Sequence, residues 1–347
     1  MLQIHVLSGS LAAELQEDDL GPIIQSDKPV RALKEHLALR TGISRYRQRL
    51  FRESIDLRDD APVTPRGHLH LVMLNFQDPE AATLQSLASA CASGRAEEVE
   101  AMLQAPHNPN IRDLDGLEPG GTALQLASRH GHIEVVQQLL EAKADKDAAK
   151  QDGHTALHLA SAEGHLEVVR ELLQAGADQD RAADDGSTAL HWASPHGHLD
   201  VVRELLRAGV KKDAVEQDGH TALHLASHFG HLEVVRELLQ AGANQDHAAD
   251  DGSTALHLAS PHGHLDVVRE LLQAGVKKDA VEQDGHTALH LASRYGHLEV
   301  VRELLQASAD QDHVSQDGST ALQSAYLNGH WDVVQLLLEF PIGRRRL

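Results

Sequence analysis

The chain has 347 residues and carries 31 Lys and Arg against 52 Asp and Glu, a formal charge of −21. This balance argues against a nucleic-acid reader, which needs a basic face, and against docking on anionic lipid. No apolar run approaches the roughly 18 residues that span a bilayer. The start, Met1–His5, lacks the basic flank and long apolar stretch of a signal peptide. One cysteine, Cys91, excludes an internal disulfide framework and suits a reducing compartment. Together these point to the cytoplasm, with the nucleus as the alternative. Hydrophobic content of 41% suffices for a packed protein, but aromatics at 3% are few for one large core, and the 26 histidines demand an explanation. The charge is also uneven: residues 1–78 sum to −1 and residues 79–347 to −20, with the shift near Gln77-Asp78-Pro79.

In chain order, Met1–Leu7 alternates as a strand does, and Leu11–Leu15 can return beside it as a hairpin partner. Val30–Leu37 carries apolar residues at i, i+3 and i+7 of an amphipathic helix, with Pro29 suited to its first turn and Gly42 to its stop. His68–Leu74 reads as a further strand. A hairpin, one helix and more strands make a small α+β roll. Gly42-Ile43, Gln48-Arg49-Leu50-Phe51, Leu57 and Leu69-His70-Leu71-Val72 resemble a ubiquitin-like (β-grasp) domain over residues 1–76. The chain departs from that family after Leu74, where Asn75 and Phe76 continue and no terminal Gly-Gly follows, so the head is a built-in module. The resemblance places Phe51 and Val72 on the family's partner-recruiting patch. No leucine matches in the first turn, and both residues also read as ordinary sheet positions.

After a linker at 77–83, the body is a repeat array over 84–340. Asp-Gly recurs at Asp152, Asp185, Asp218, Asp251, Asp284 and Asp317, always 33 residues apart, and each is followed by Thr-Ala-Leu, Gly-His and Val-Val. Within one repeat, Asp152-Gly153 makes a tight turn. The Thr155 hydroxyl can cap a short helix, Gly164 ends that helix, and Leu166, Val168, Val169, Leu172 and Leu173 stripe a second one. Neither helix reaches the ~12–15 residues of independent stability, so each pair must bury its stripe on the next. Two less regular repeats come first. One has its core at Thr122–Glu141 and extra residues Leu117–Gly120 in its turn. The other runs from about Leu84 to Gln104 and lacks both Asp-Gly and threonine.

The motifs Asp152-Gly153, Thr155–Ala160, Gly164-His165 and Gly176-Ala177-Asp178 closely resemble the ankyrin repeat, in about eight copies. The resemblance implies two antiparallel helices and a projecting finger per repeat, with a concave face of fingers and first helices that binds proteins. Alanine replaces the family's proline after threonine, and Gln179, Lys212, Gln245, Lys278 and Gln311 make the long loops wetter than the family's. Residues 185–250 and 251–316 agree at 57 of 66 positions, so the copying unit is a repeat pair. Pro195 and Pro261 sit late in first helices, which should be shortened or kinked there. That is either fraying at a helix end or a reshaping of the face. Lys143 and Ser308 stand where a capping glycine is expected, each at a cost on the order of 1 kcal/mol if φ stays positive. The 309–340 end should therefore open before the centre.

Most histidines recur at two places, within Thr-Ala-Leu-His and after the glycine. This points to hydrogen-bonding rings that tie turn to helix and bridge neighbours, rather than to metal ligands. If the first set is buried, its pKa values should be lowered. Cys91 has no general base placed beside it by any local motif, and Glu167 and Glu171 lie on a solvated face beside Arg170. With no phosphate loop, nucleophile elbow or metal triad, no enzyme activity, cofactor or metal is expected. The tail 341–347 adds three arginines near a helix end. The expected function is a non-catalytic, monomeric scaffold that binds a protein with a basic surface. Contacts are expected from first-helix ends and fingers, at Glu163, Trp192, His196, His228, Phe229, His262, Arg294, Tyr295 and Asn328. Phe229 and Tyr295 lead, and Trp192 also reads as a packing residue. The alternative is an adaptor in ubiquitin-dependent turnover, with the head on a receptor or ligase and the repeats holding a client. Histidine-based metal binding is a minor alternative.

Overall fold

The computed structural model describes residues 2–6, 11–15, 17–52, 55–73, 81–104, 108–110, 112 and 120–340. Most of the linker, Leu117–Pro119 and the arginine tail lie outside them. The chain divides into two compact units, Met1–Ala148 and Ala149–Leu347.

The first unit opens with β1 (Leu2–Val6), β2 (Leu11–Leu15), α1 (Glu17–Ile24) and α2 (Pro29–Thr41). A 3-10 turn at Arg45–Arg47 leads into β3 (Gln48–Arg52), β4 (Ile55–Asp56) and β5 (Gly67–Met73). The five-stranded sheet has the order β2-β1-β5-β3-β4. β1 runs antiparallel to β2, with Leu2 opposite Leu15, and parallel to β5, with Ile4 opposite Leu69. β3 runs antiparallel to β5, with Leu50 opposite Leu71. The period of two then sends Leu2, Ile4, Leu50, Leu69 and Leu71 to one face, where they pack with Val30, Leu33 and Leu37 of α2. α2 ends at Gly42, whose φ of 71° allows the left-handed cap. Beside the one helix expected in the head, the structure adds α1, which buries Leu20 and Ile23 at i and i+3.

The head packs on the first two helix pairs, α3 (Ala81–Ala92) with α4 (Ala96–Gln104), and α5 (Ala123–Arg129) with α6 (Ile133–Glu141). The contact centres on Arg45, whose side chain is only 3% exposed. Its guanidinium reaches Glu141 of α6 at 2.8 Å, Glu100 of α4 at 3.3 Å and Glu35 of α2 at 3.6 Å. The same group lies over the Tyr46 ring, 4.0 Å from its centroid. Arg31 also holds Glu100, at 2.8 Å, and Arg49 donates to the Gln104 carbonyl. Buried Lys34 pairs with Asp59 at 2.8 Å. Burial works to raise the Asp59 pKa, but the Lys34 hydrogen bond and the Lys34 and Arg45 charges hold it below the usual carboxylate range.

The second unit is a stack of six helix pairs. They are α7 (Ala156–Ala162) and α8 (Leu166–Gln174), α9 (Ala189–Ala193) and α10 (Leu199–Ala208), α11 (Ala222–His228) and α12 (Leu232–Gln240). Then come α13 (Ala255–Ala259) and α14 (Leu265–Gln273), α15 (Ala288–Arg294) and α16 (Leu298–Gln306), α17 (Ala321–Leu327) and α18 (Trp331–Glu339). First helices pack on first helices and second on second. The core is a repeated set of short aliphatics such as Ala156, Leu157, Val168, Val169 and Leu172, which is why so few aromatics suffice. Fingers join directly through the backbone: the Asp184, Gln217, Asp250, Gln283 and Gln316 amides donate to carbonyls of the preceding finger at 2.7 to 3.1 Å. On the second helices, Arg170, Arg203, Arg236 and Arg269 reach Glu204, Glu237, Glu270 and Glu303 one repeat on, at 2.6 to 3.0 Å.

The proline-bearing helices α9 and α13 hold five residues where their siblings hold seven. Proline removes the amide that would extend them. The preceding serines turn back, Ser194 Oγ donating to the Leu190 carbonyl and Ser260 Oγ to that of Leu256, both at 2.7 Å. Lys143 and Ser308 do adopt positive φ, 68° and 63°.

Two outcomes are expected. Arg45→Ala removes the buried guanidinium that links α2, α4 and α6, while Glu35 and Glu100 keep Arg31, and should cost the first unit about 1–3 kcal/mol through lost ion pairs and packing. Both tryptophans, Trp192 and Trp331, lie in the second unit. In denaturant, circular dichroism should therefore show an earlier first transition while the tryptophan-fluorescence midpoint stays fixed. Ser308→Gly relieves a left-handed non-glycine residue and should add about 1 kcal/mol, read as slower amide exchange across 317–340.

Candidate partner-binding surface

The histidines explain how the surface is held. The rings of His158, His191, His224, His257 and His290 are buried. In each repeat Nδ1 accepts the backbone N–H of the N-cap threonine at 3.1 to 3.4 Å. The threonine hydroxyl lies 2.8 to 2.9 Å from the same nitrogen. An accepting Nδ1 leaves the ring proton on Nε2. That nitrogen donates to the next finger: His191 to the His220 carbonyl, His224 to Ser253, His257 to His286 and His290 to Ser319, at 3.1 to 3.2 Å. Gln125 and Gln323 accept the threonine N–H in their own repeats, at 2.8 and 2.9 Å. An amide can do this because it offers an acceptor and a donor on one side chain, and a metal ligand could not be replaced so.

The second series faces backward. Nε2 of His132, His198, His231, His264 and His297 meets the Ala92, Ala162, Pro195, His228 and Pro261 carbonyls at 2.7 to 3.0 Å. These rings lie on glycines of the preceding repeat, and a Cβ on Gly164 would sit 2.6 Å from His198 Nδ1. Glycine is thus required there both by φ of 75° and by contact.

Burial lowers the pKa of all five rings of the first series, with His158 and His224 brought down to about 4. Cys91 is buried and its thiol is pushed up to about 12 by desolvation, so it is no thiolate nucleophile. At two fingers, donor atoms of Glu216, Asp218 and His220, and of Glu282, Asp284 and His286, lie within 4.8 Å of one another. Glu216 is already committed, accepting the Asp218 and His220 amides at 3.0 Å and meeting His220 Nδ1 at 2.8 Å. It holds the finger closed.

With the frame fixed, the expected contact residues fall into register. Glu163, His196, Phe229, His262, Tyr295 and Asn328 occupy one position 33 residues apart, at the turn between first and second helix. All six are exposed. His228 and Arg294 precede two of them. The structure brings His228 and His262 together edge to face, centroids 4.4 Å apart, with Phe229 4.7 Å from His228. Desolvation, then neighbouring histidines, lower the pKa of both rings. Trp192 stands apart, half-buried on α9 with its ring 5.0 Å from His154. In the head, Phe51 and Val72 are half-buried on the sheet face away from the core.

The structure also adds residues to the column. Tyr326 and Trp331, edge to face at 5.2 Å, continue the turn edge into the last repeat. With Phe229 and Tyr295 they are 53% to 62% exposed, four of the nine aromatics in the chain. On the fingers, about 10 Å away along a seven-residue helix, Val215, Val281 and Val314 are exposed. The scarcity of aromatics in so regular an array was the available signal for the first group. The valines carried none, since a single exposed valine is ordinary.

The geometry defines a protein of stacked helical repeats with a variable turn edge. The family model described as Ankyrin repeats (3 copies) matches residues 66–150, 87–183, 143–216, 206–282 and 274–344. The chain belongs to the ankyrin-repeat family, whose members generally mediate protein–protein interactions and are generally non-catalytic scaffolds. Among the described residues no helix is long and apolar enough to cross a membrane.

The buried rings set a pH dependence. Their folded pKa values are lowered, so the unfolded chain takes up protons first as pH falls below about 6.5. For His158 and His224 the stabilisation is full above that value and is lost between about 6.5 and 4, on the order of 1 kcal/mol for each of these two rings at pH 5.5; the other three act in the same direction. Thermal melts should show a lower Tm at pH 5.5 than at pH 7.5. His224→Gln, which removes one of the five rings, should narrow that difference without abolishing it.

Proposed function

We propose that this chain is a non-catalytic interaction scaffold whose repeats capture a protein with a basic surface through the turn edge and the fingers. The carrying observation is the column at 33-residue spacing. Between the two near-identical repeat pairs, His228-Phe229 becomes Arg294-Tyr295, while the threonine caps, the second-helix stripes and the bridging histidines stay constant. Variation at exposed aromatic positions on a constant frame is what selection for a partner produces. Aromatic anchors also dominate interface energetics. The net charge of −20 on residues 79–347 favours a basic partner and speeds its encounter. We read the protein as a monomer acting in the cytoplasm or nucleus, with the head as a ubiquitin-like module. The sheet order β2-β1-β5-β3-β4 with α2 across its core face supports that reading of the head.

A second reading draws on Phe51 and Val72. On the outer sheet face they are placed to meet a ubiquitin receptor or ligase, which would make the chain an adaptor in protein turnover with its client on the repeats. The two readings separate by variant. Phe229→Ala with Tyr295→Ala in the full chain should reduce partner recovery in affinity purification at least about tenfold, since two aromatic anchors are worth a few kcal/mol. Unchanged recovery overturns the turn-edge reading. Phe51→Ala should leave client capture intact and remove turnover machinery alone if the adaptor reading holds.

A further inference from the structure

The outer face of the head sheet carries three histidines that neither the repeats nor the proposed partner surface use. The motif His68-Leu69-His70 lies on β5, and the period of two puts both imidazoles on one side and Leu69 in the core. The neighbouring strand supplies the third: His5 of β1 is paired in register with His70, and Gln3 with His68. His68 and His70 are exposed and His5 is half-buried. The His5 and His68 ring centroids are 5.5 Å apart, and those of His5 and His70 are 6.3 Å apart. His5 Nε2 and His68 Nδ1 stand 3.4 Å from each other. Two ligands of a tetrahedral zinc ion at Zn–N distances of 2.0–2.1 Å are separated by about 3.3 Å.

We propose that His5, His68 and His70 form a binding site for a borderline divalent transition ion, zinc in the first instance. The donor set selects the ion: three neutral imidazoles suit zinc, copper or nickel, whereas magnesium and calcium need oxygen ligands. The core beneath the sheet fixes the three Cα positions, because Leu2, Ile4, Leu69 and Leu71 on the opposite face are almost fully buried. The ion therefore meets a preset backbone, and the rings of His5, His68 and His70 converge on it by turning about their side-chain torsions, among ordinary rotamers, which breaks the hydrogen bond between His5 and His68. A fourth position stays open to water on the solvent side. Phe51 is paired in register with His70 on the other neighbouring strand, so the ion would sit at the edge of the outer face that carries Phe51 and Val72.

The proposal is tested on the full chain, stripped with chelator and titrated with zinc by calorimetry, while long-range nitrogen–proton spectra report the imidazole rings. The first equivalent should shift the His5, His68 and His70 rings and leave the bridging rings of the repeats in place. His68→Gln and His70→Gln should each weaken that first equivalent at least about tenfold, the lower end of what loss of even an outer-shell partner costs a metal site. His220→Gln with His286→Gln, which removes the finger clusters, should leave it unchanged. Absence of zinc binding, or a first equivalent that shifts finger rings instead, overturns the proposal. So does one that survives in the triple variant His5→Gln, His68→Gln, His70→Gln with an unchanged amide spectrum. The ring spectra of the unmodified chain decide the matter even where a variant folds poorly.

Discussion

A buried imidazole that must stay neutral organises the repeats. In His224 one nitrogen accepts from Thr221 at the start of its own helix, and the other donates to Ser253 in the next finger. A single ring thus closes a helix N-terminus and joins two repeats. Both bonds need the same tautomer, and protonation would destroy the first, because an Nδ1 that carries a proton cannot accept from Thr221. Helices of five to ten residues in the second unit cannot stand alone, so stability resides in such inter-repeat links and in the aliphatic stripes beneath them. The backward-facing rings, the finger backbone bonds and the Arg–Glu pairs repeat that logic at other heights of the stack. The exposed ion pairs contribute least, since solvent screens them.

The first unit is held by a different device. Arg45 is buried under carboxylates from α2, α4 and α6, and a buried charge is tolerable only when so paired. The head is thereby bound to the two least regular repeats, which lack a preceding regular repeat to stack on. Terminal repeats of an array need capping. At the other end, the last repeat leaves Leu327, Trp331 and Leu338 exposed.

Rigidity and variability are separated in space. The rings that join each threonine cap to the next finger lie buried along the first helices, and a side chain added at the glycine that follows each turn residue but the last would meet a histidine ring of the next repeat. The turn edge meets solvent, so residues there can change without disturbing the stack. Proline at 195 and 261 shortens a helix yet leaves the stacking intact: the first helices still pack on their neighbours, and the Pro195 and Pro261 carbonyls accept from His231 and His297 of the next repeat.

Much of this was written locally. The 33-residue period, the Asp-Gly fingers, the threonine caps, the apolar stripes and the left-handed φ at Lys143 and Ser308 are all short-range consequences of residue type, and each could be read from the sequence. The alternation of the head strands was legible in the same way. Tertiary structure alone decided which groups meet across long separations. Arg45 finds Glu100 and Glu141 at 55 and 96 residues' distance, and His5 reaches His68 and His70 only because β1 and β5 pair in one register. No local pattern encodes either, since a one-residue slip would send every side chain of a strand to the other face.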